Sequence, residues 1–220
     1  MYYKIKKLNL KGVGSGNTRN FLLNPFIRNT SDRDYWLGFI LADGHIGKGS
    51  IALFSNRKET SDQFNMFCFN QCKIYKTHYI SKGNIGTIYR TILISKRIQE
   101  WFSNYFNIPK DKRYTLNPNL NINWDIIRGY FDGDGNAHKS GGLTITSGSK
   151  VWINRIKEFF EVEGIFSTIK EYKTYSKISI WRKNELKKAV NKLYKNKSFF
   201  LRYKYERFEP YMSNHIMKTQ

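Results

Sequence analysis

Acidic residues are scarce in this 220-residue chain. Seventeen Asp and Glu stand against 38 Lys and Arg, a formal net charge of +21. A surface so unbalanced concentrates polyanions, with nucleic acid the first choice and anionic lipid the competitor. Long apolar runs are also missing. None approaches the roughly 20 residues of a spanning helix, so no membrane partner is expected, and the N-terminus lacks a signal-peptide core. Cysteine is nearly absent, with only Cys68 and Cys72. Four apart in an expected helix, they suit two thiols on one helix face, and no nearby His or Cys pair completes a zinc site. A reducing, intracellular compartment is expected.

The composition is otherwise globular, with 40% apolar and 16% aromatic residues. That is enough for one large domain or two small ones. Residues 1–30 are expected as a basic, glycine-containing arm. A helix should begin at Thr30-Ser31-Asp32, with Asp34 adding charge to its first turn. It should stop at Asp43-Gly44, with the glycine left-handed. Two similar series of elements then follow. Each has a strand region (50–55; 142–147), a helix (58–71; 150–163), a hairpin (73–81 with 86–95; 167–172 with 177–181) and a closing helix (96–106; 184–194). Leu143 and Ile145 alternate with Thr144 and Thr146, and Ile178 and Ile180 alternate with Lys177, Ser179 and Trp181. Such strands have one greasy and one polar face.

Two segments carry the chemistry. The first is Trp36-Leu37-Gly38-Phe39-Ile40-Leu41-Ala42-Asp43-Gly44 and the second is Ile127-Arg128-Gly129-Tyr130-Phe131-Asp132-Gly133-Asp134-Gly135. Gly38 and Gly129 are 91 residues apart, as are Asp43 and Asp134. Gly38 with Ala42, and Gly129 with Gly133, make small-residue stripes at helical spacing, so the two helices can pack backbone to backbone. Their ends would bring Asp43 and Asp134 together. Two carboxylates at negative helix ends repel unless a cation joins them, and a divalent ion with oxygen ligands is the natural one. The run from Asp132 to Asn136 begins like a calcium loop but fails at Ala137 and Leu143, where Gly and Glu are needed.

These segments resemble the LAGLIDADG motif of homing endonucleases in the single-chain, two-motif form. Leu41 stands where many members have an acid. The resemblance covers about residues 30–210 and implies a mixed α/β (α+β) monomer of two pseudo-twofold αββαββα half-domains. These would be residues 31–108 and 123–210, joined by a linker at 109–122 and followed by a tail at 211–220. It implies antiparallel saddle-shaped sheets that straddle double-stranded DNA, around a central two-helix interface of Gly38, Ala42, Gly129 and Gly133. Metal ligands would come from Asp43, Asp134, Ala42 and Gly133. The ion would be Mg²⁺ or Mn²⁺, with Ca²⁺ as a non-cleaving substitute. Each site would hydrolyse one strand, leaving short 3′ overhangs.

The family also tends to place a basic residue near each site. Lys112 and Lys204 match, 69 and 70 residues after their aspartates, with the role of stabilising charge on the scissile phosphate or polarising water. DNA contacts are expected from Lys48, Ser50, Asn56 and Arg57 in the first half. In the second they are expected from Lys139, Thr144, Thr146, Ser147, Ser149, Lys177, Ser179, Trp181 and Arg182. The halves differ at these positions, so the target should be asymmetric. Relatives of this fold also assist intron folding or regulate without cleaving, so a host intron RNA cofactor and a non-catalytic DNA-binding regulator are the competing functions.

Overall fold

The computed structural model describes residues 23–81, 84–105, 121–195 and 197–212. Lys112, residues 109–120 of the expected linker, most of the basic arm and residues 213–220 lie outside the described residues. The first half runs α1 (Ser31–Asp43), β1 (Gly44–Gly47), β2 (Ser50–Ser55), α2 (Lys58–Phe67), β3 (Lys73–Ser81), β4 (Asn84–Ile94) and α3 (Lys96–Tyr105). The second repeats this as α4 (Trp124–Asp134), β5 (Gly135–His138), β6 (Gly142–Ser147), α5 (Lys150–Val162), β7 (Thr168–Glu171), β8 (Ser176–Ile180) and α6 (Lys183–Leu193). A short α7 (Arg202–Phe208) and one 3₁₀ turn follow. The architecture is thus mixed α and β, with two αββαββα units.

Each unit has a four-stranded antiparallel sheet, ordered β1-β2-β4-β3 and β5-β6-β8-β7. Gly44 pairs with Leu53 in the first and Gly135 with Ile145 in the second. The tight turn between the first two strands holds a glycine at φ +78° (Gly49) or +81° (Gly141), where a side chain is strained. One face of each sheet is apolar. Ile51, Leu53 and Leu93 in the first, and Ala137, Leu143, Ile145, Ile178 and Ile180 in the second, join the helices in the core. Burying each large aliphatic side chain is worth about 1.5–3 kcal/mol, so these faces hold the helices down.

The helices α1 and α4 form the seam between the units. Thr30 caps α1 by accepting from the Arg33 amide, and Asn123 caps α4 by accepting from the Ile126 amide. Residues Arg33 to Leu41 are all buried, so α1 is covered on every side rather than on one stripe. At the crossing there is no room for a side chain. A Cβ on Gly38 would lie 2.0 Å from the Ile126 carbonyl oxygen, and one on Gly129 would lie 1.9 Å from the Tyr35 carbonyl oxygen. Further along, a Cβ on Gly133 would meet the Ala42 methyl at 2.4 Å. At the opposite end the Asn123 amide donates to Asp34 Oδ2 at 2.6 Å, and Arg33 holds the other Asp34 oxygen through two donors.

Two local expectations change. Gly44 and Gly135 end their helices in extended backbone, with φ −83° and −96°, not left-handed. Glycine is required there because a Cβ would strike Ile40 or Phe131 one turn back. The helix α2 stops at Phe67 because Phe69 and Asn70 take positive φ, so Cys68 and Cys72 do not share a helix face. Cys68 is buried and Cys72 half-buried, both as free thiols. His45 and His138 lie in β1 and β5. Gly164 does take positive φ behind α5, at +68°.

Replacing Gly38 or Gly129 by Ala should lower unfolding free energy by roughly 3 kcal/mol or more, the upper range of overpacking, as read by urea denaturation. A variant as stable as the parent would show that the helices can part without loss.

Candidate functional site

The two strand-entry points, Asp43-Gly44 and Asp134-Gly135, sit side by side because α1 and α4 cross at their glycines. A Cβ on Gly133 would lie 3.5 Å from Asp43 Oδ2, so the end of one helix abuts the acid of the other. Asp43 is exposed and Asp134 half-buried. Among the described residues no cluster of three His, Cys, Asp or Glu forms. The donor set at this point is therefore two carboxylates and the backbone carbonyls of the helix ends, all hard oxygen. Such a set suits a divalent ion that keeps waters and phosphate oxygens in its shell.

Lys204 is buried at the foot of α4. Its ammonium donates to the carbonyls of Phe131 (2.7 Å) and Asp132 (2.8 Å) in the last turn of that helix and of Gly135 (2.7 Å) just past its end. Burial pulls its pKa down to about 8, against the opposing pull of Asp132, Asp43 and Asp134. All three N–H groups have partners, so Lys204 fixes the end of α4 and with it the placement of Asp134. Asp132 lies in the wall of the cleft beside Asp43, with its carboxylate engaged internally. Its Oδ2 accepts from the Tyr35 hydroxyl at 3.0 Å and the Leu201 amide at 2.8 Å, tying α4 to α1 and to the segment before α7. Burial raises its carboxyl to about 6.

The surroundings of the two aspartates differ. Beside Asp43 lies a cleft of about 340 Å³ lined by Asn56, Arg57, Phe54, Ile88 and Tyr203, among others. The Arg57 guanidinium stacks 4.1 Å from the centre of the Tyr203 ring. Burial and the nearby acids raise the Tyr203 hydroxyl, while Arg57 opposes that shift. Beside Asp134, the Tyr130 hydroxyl is raised chiefly by burial and by the Asp134 charge, and it bonds with Ser147 and Asp134. Thr146 donates to the Asp134 carbonyl at 3.0 Å.

The expected DNA contacts fall into three groups. Lys48 and Lys139 are exposed at matching hairpin turns, and Trp181 and Arg182 are exposed after β8. Ser50 lies on the open face of the first sheet, and Thr146 and Lys177 pair on that of the second; Thr144 and Ser179 pair on the same side but are buried, which corrects their reading as direct contacts. Asn56 and Arg57 are drawn into the Asp43 cleft. Ser147 and Ser149 are a correction, since both are buried. Ser149 caps α5 by accepting from the Trp152 amide, and Ser147 accepts from the Ser149 amide. Hairpin-following serines read as surface positions until the cap geometry is known.

Sequence reading missed Tyr203, Tyr130 and the Asp132–Tyr35 bond. The only signal for Tyr203 was the alternation of basic and aromatic residues in Arg202-Tyr203-Lys204-Tyr205.

Residues 124–194 match the family model of the LAGLIDADG-like domain. No curated protein matches the sequence significantly. Among solved structures, I-WcaI, described as a homing endonuclease bound to its DNA recognition sequence, superposes with a TM-score of 0.59 at 16% identity. The match covers 80% of this chain and 85% of that one. A variant of I-SmaMI gives 0.55 at 11% identity, over 86% and 89%. I-DmoI in complex with DNA and Mn gives 0.50 at 13% identity, over 74% and 97%. The resemblance read from the two motifs thus holds at low identity, and these likenesses show the two-half LAGLIDADG fold.

Between pH 4 and 6 the folded chain should lose stability as pH rises. Unfolded, Asp132 releases its proton near 3.8, whereas folded it holds it to about 6, so the native state binds more protons in that window. The loss is on the order of 2–3 kcal/mol. Denaturation in metal-free buffer should show it in the parent and not in Asp132→Asn.

Proposed function

From this LAGLIDADG fold we propose a metal-dependent, site-specific endonuclease that breaks both strands of a long asymmetric DNA target by phosphodiester hydrolysis, leaving short 3′ overhangs. The single observation that carries the reading is the juxtaposition of Asp43 and Asp134 at the ends of two helices packed backbone to backbone. Double-stranded DNA is the substrate suggested by the charge of +21. The described relatives I-WcaI and I-DmoI are DNA complexes, and the latter contains Mn.

Asp43 and Asp134, with the carbonyls of Ala42 and Gly133, would hold Mg²⁺ or Mn²⁺. When bound, the metal neutralises charge on the scissile phosphate and lowers the pKa of attacking water. Lys204 keeps the α4 carbonyls and Asp134 in place. Arg57, held flat on Tyr203 beside Asp43, and Asn56 next to it are placed to contact phosphate or orient water in that cleft. Lys112, the expected counterpart of Lys204, completes the proposed catalytic set. Sequence is read by the open sheet faces in the major groove. The chain acts as a monomer in this reading, because it supplies both acids itself.

Cleavage of a randomised duplex library with Mg²⁺ or EDTA tests this. Cuts at one long site that need metal support it, and tight binding without cuts moves the assignment to a regulator or intron RNA cofactor. Asp43→Asn and Asp134→Asn should each lower double-strand cleavage at least ~100-fold, the scale of losing a charge-stabilising group, with DNA affinity kept. Full cleavage by either variant removes its aspartate from the site. Lys204→Ala should lower cleavage and melting temperature together, because it frees three buried carbonyls. A slower enzyme with unchanged melting would instead place the ammonium in the chemistry.

A further inference from the structure

The two sheets present unlike surfaces on the faces turned away from the core. Strand register fixes which residues share each face. In the second sheet Asn136, Thr144, Ser179 and Thr168 form one row, and Thr146, Lys177 and Lys170 the next. All are polar; Thr144 and Ser179 are buried, and the others are half-buried or exposed. His138 joins them by bonding Thr144 at 3.0 Å, and Trp181 packs its ring against His138 and over Gly142.

The first sheet has a different face. Lys73, Ile92, Ala52 and the exposed His45 form one row, Tyr75, Arg90 and Phe54 another, and Thr77 pairs with Ile88. Tyr79 lies opposite Gly86, where a Cβ would come 2.3 Å from its ring, so the ring lies flat across the neighbouring strand. Tyr75 and Tyr79 are each 47% exposed and Ile94 is 48% exposed. A monomer rarely leaves such a face bare without a use for it. This face continues directly into the Asp43 cleft through Phe54 and Ile88. Lys73 and Arg90 stand among the apolar residues, in a chain of charge +21. The occupant that fits a basic-flanked apolar face beside that cleft is the major groove of DNA. Its one apolar feature is the thymine 5-methyl group.

We infer that the two halves read DNA by different chemistry, the first sheet by apolar contact with thymine methyl groups and the second by hydrogen bonds. This rests on the endonuclease reading and adds the class of base that the first half selects. The second face offers the Thr146 and Thr168 hydroxyls, the Asn136 amide and the His138 imidazole, with the Trp181 ring at its edge.

The test takes the duplex selected from the randomised library by the full chain in Ca²⁺. Thymidine is replaced by deoxyuridine, which lacks only the methyl, in one half-site at a time, and equilibrium affinity is measured. Substitution in one half should weaken binding roughly fourfold for each contacted methyl, and in the other half should leave it unchanged. Tyr75→Ser/Tyr79→Ser, at two half-exposed positions, should abolish that sensitivity and relax selection in the same half. Equal effects in both halves, an effect in neither, or full sensitivity in the tyrosine variant overturns the inference and leaves the endonuclease intact. Failure to select or cut any duplex overturns the endonuclease reading, and this inference with it.

Discussion

Everything in this molecule hangs on how closely two helix backbones approach. Gly38 against the Ile126 carbonyl and Gly129 against the Tyr35 carbonyl leave no space for a methyl group. This contact makes one protein of two half-domains. It also brings the ends of α1 and α4 together and thereby sets Asp43 beside Gly133. A wider separation would spread the acids apart, so that one cation could no longer join them. The polar bond between Asn123 and Asp34 at the other end of the pair fixes the register of the same contact.

The second support is the segment that leads into α7. It comes from the second half of the sequence but touches both central helices. Phe199 stacks on Tyr35 and leans on Trp36, Leu201 donates to Asp132, and Lys204 closes the end of α4. Burying a lysine and an aspartate here is expensive unless their hydrogen bonds are made. For Lys204 they are, through three carbonyls. For Asp132 one oxygen has two donors and the other has none within reach. Burial outweighs those two bonds and the Lys204 charge, and so the Asp132 carboxyl holds its proton to higher pH.

On this shared frame the two halves have diverged. The position after β2 carries Asn56 and Arg57, which line an open cleft. The matching position after β6 carries Gly148 and Ser149, and the serine turns inward to cap a helix. A repeated scaffold can carry different side chains at such places because neither the helix crossing nor the sheet register depends on them. The same freedom gives the first sheet a tyrosine- and isoleucine-bearing outer face and the second a polar one. One fold thus offers two unlike surfaces to a single asymmetric ligand.

The sequence alone settled the repeat, the helix start at Thr30, and the small-residue stripes. It also settled the strand alternation around Leu143 and Ile178. These are local matters, decided by side-chain period, capping chemistry and steric size. The strong positive charge is likewise readable without a fold. Tertiary structure alone decided that Gly44 and Gly135 are glycine for want of space rather than for left-handed backbone. It decided that Ser147 and Ser149 point inward, that Lys204 binds helix carbonyls, and that Tyr203 meets Arg57 beside Asp43. Each of these depends on atoms brought together from distant parts of the chain. Local propensity carries no record of such meetings, because the burial and hydrogen-bond partners that define them exist only after the two halves have closed on α1 and α4.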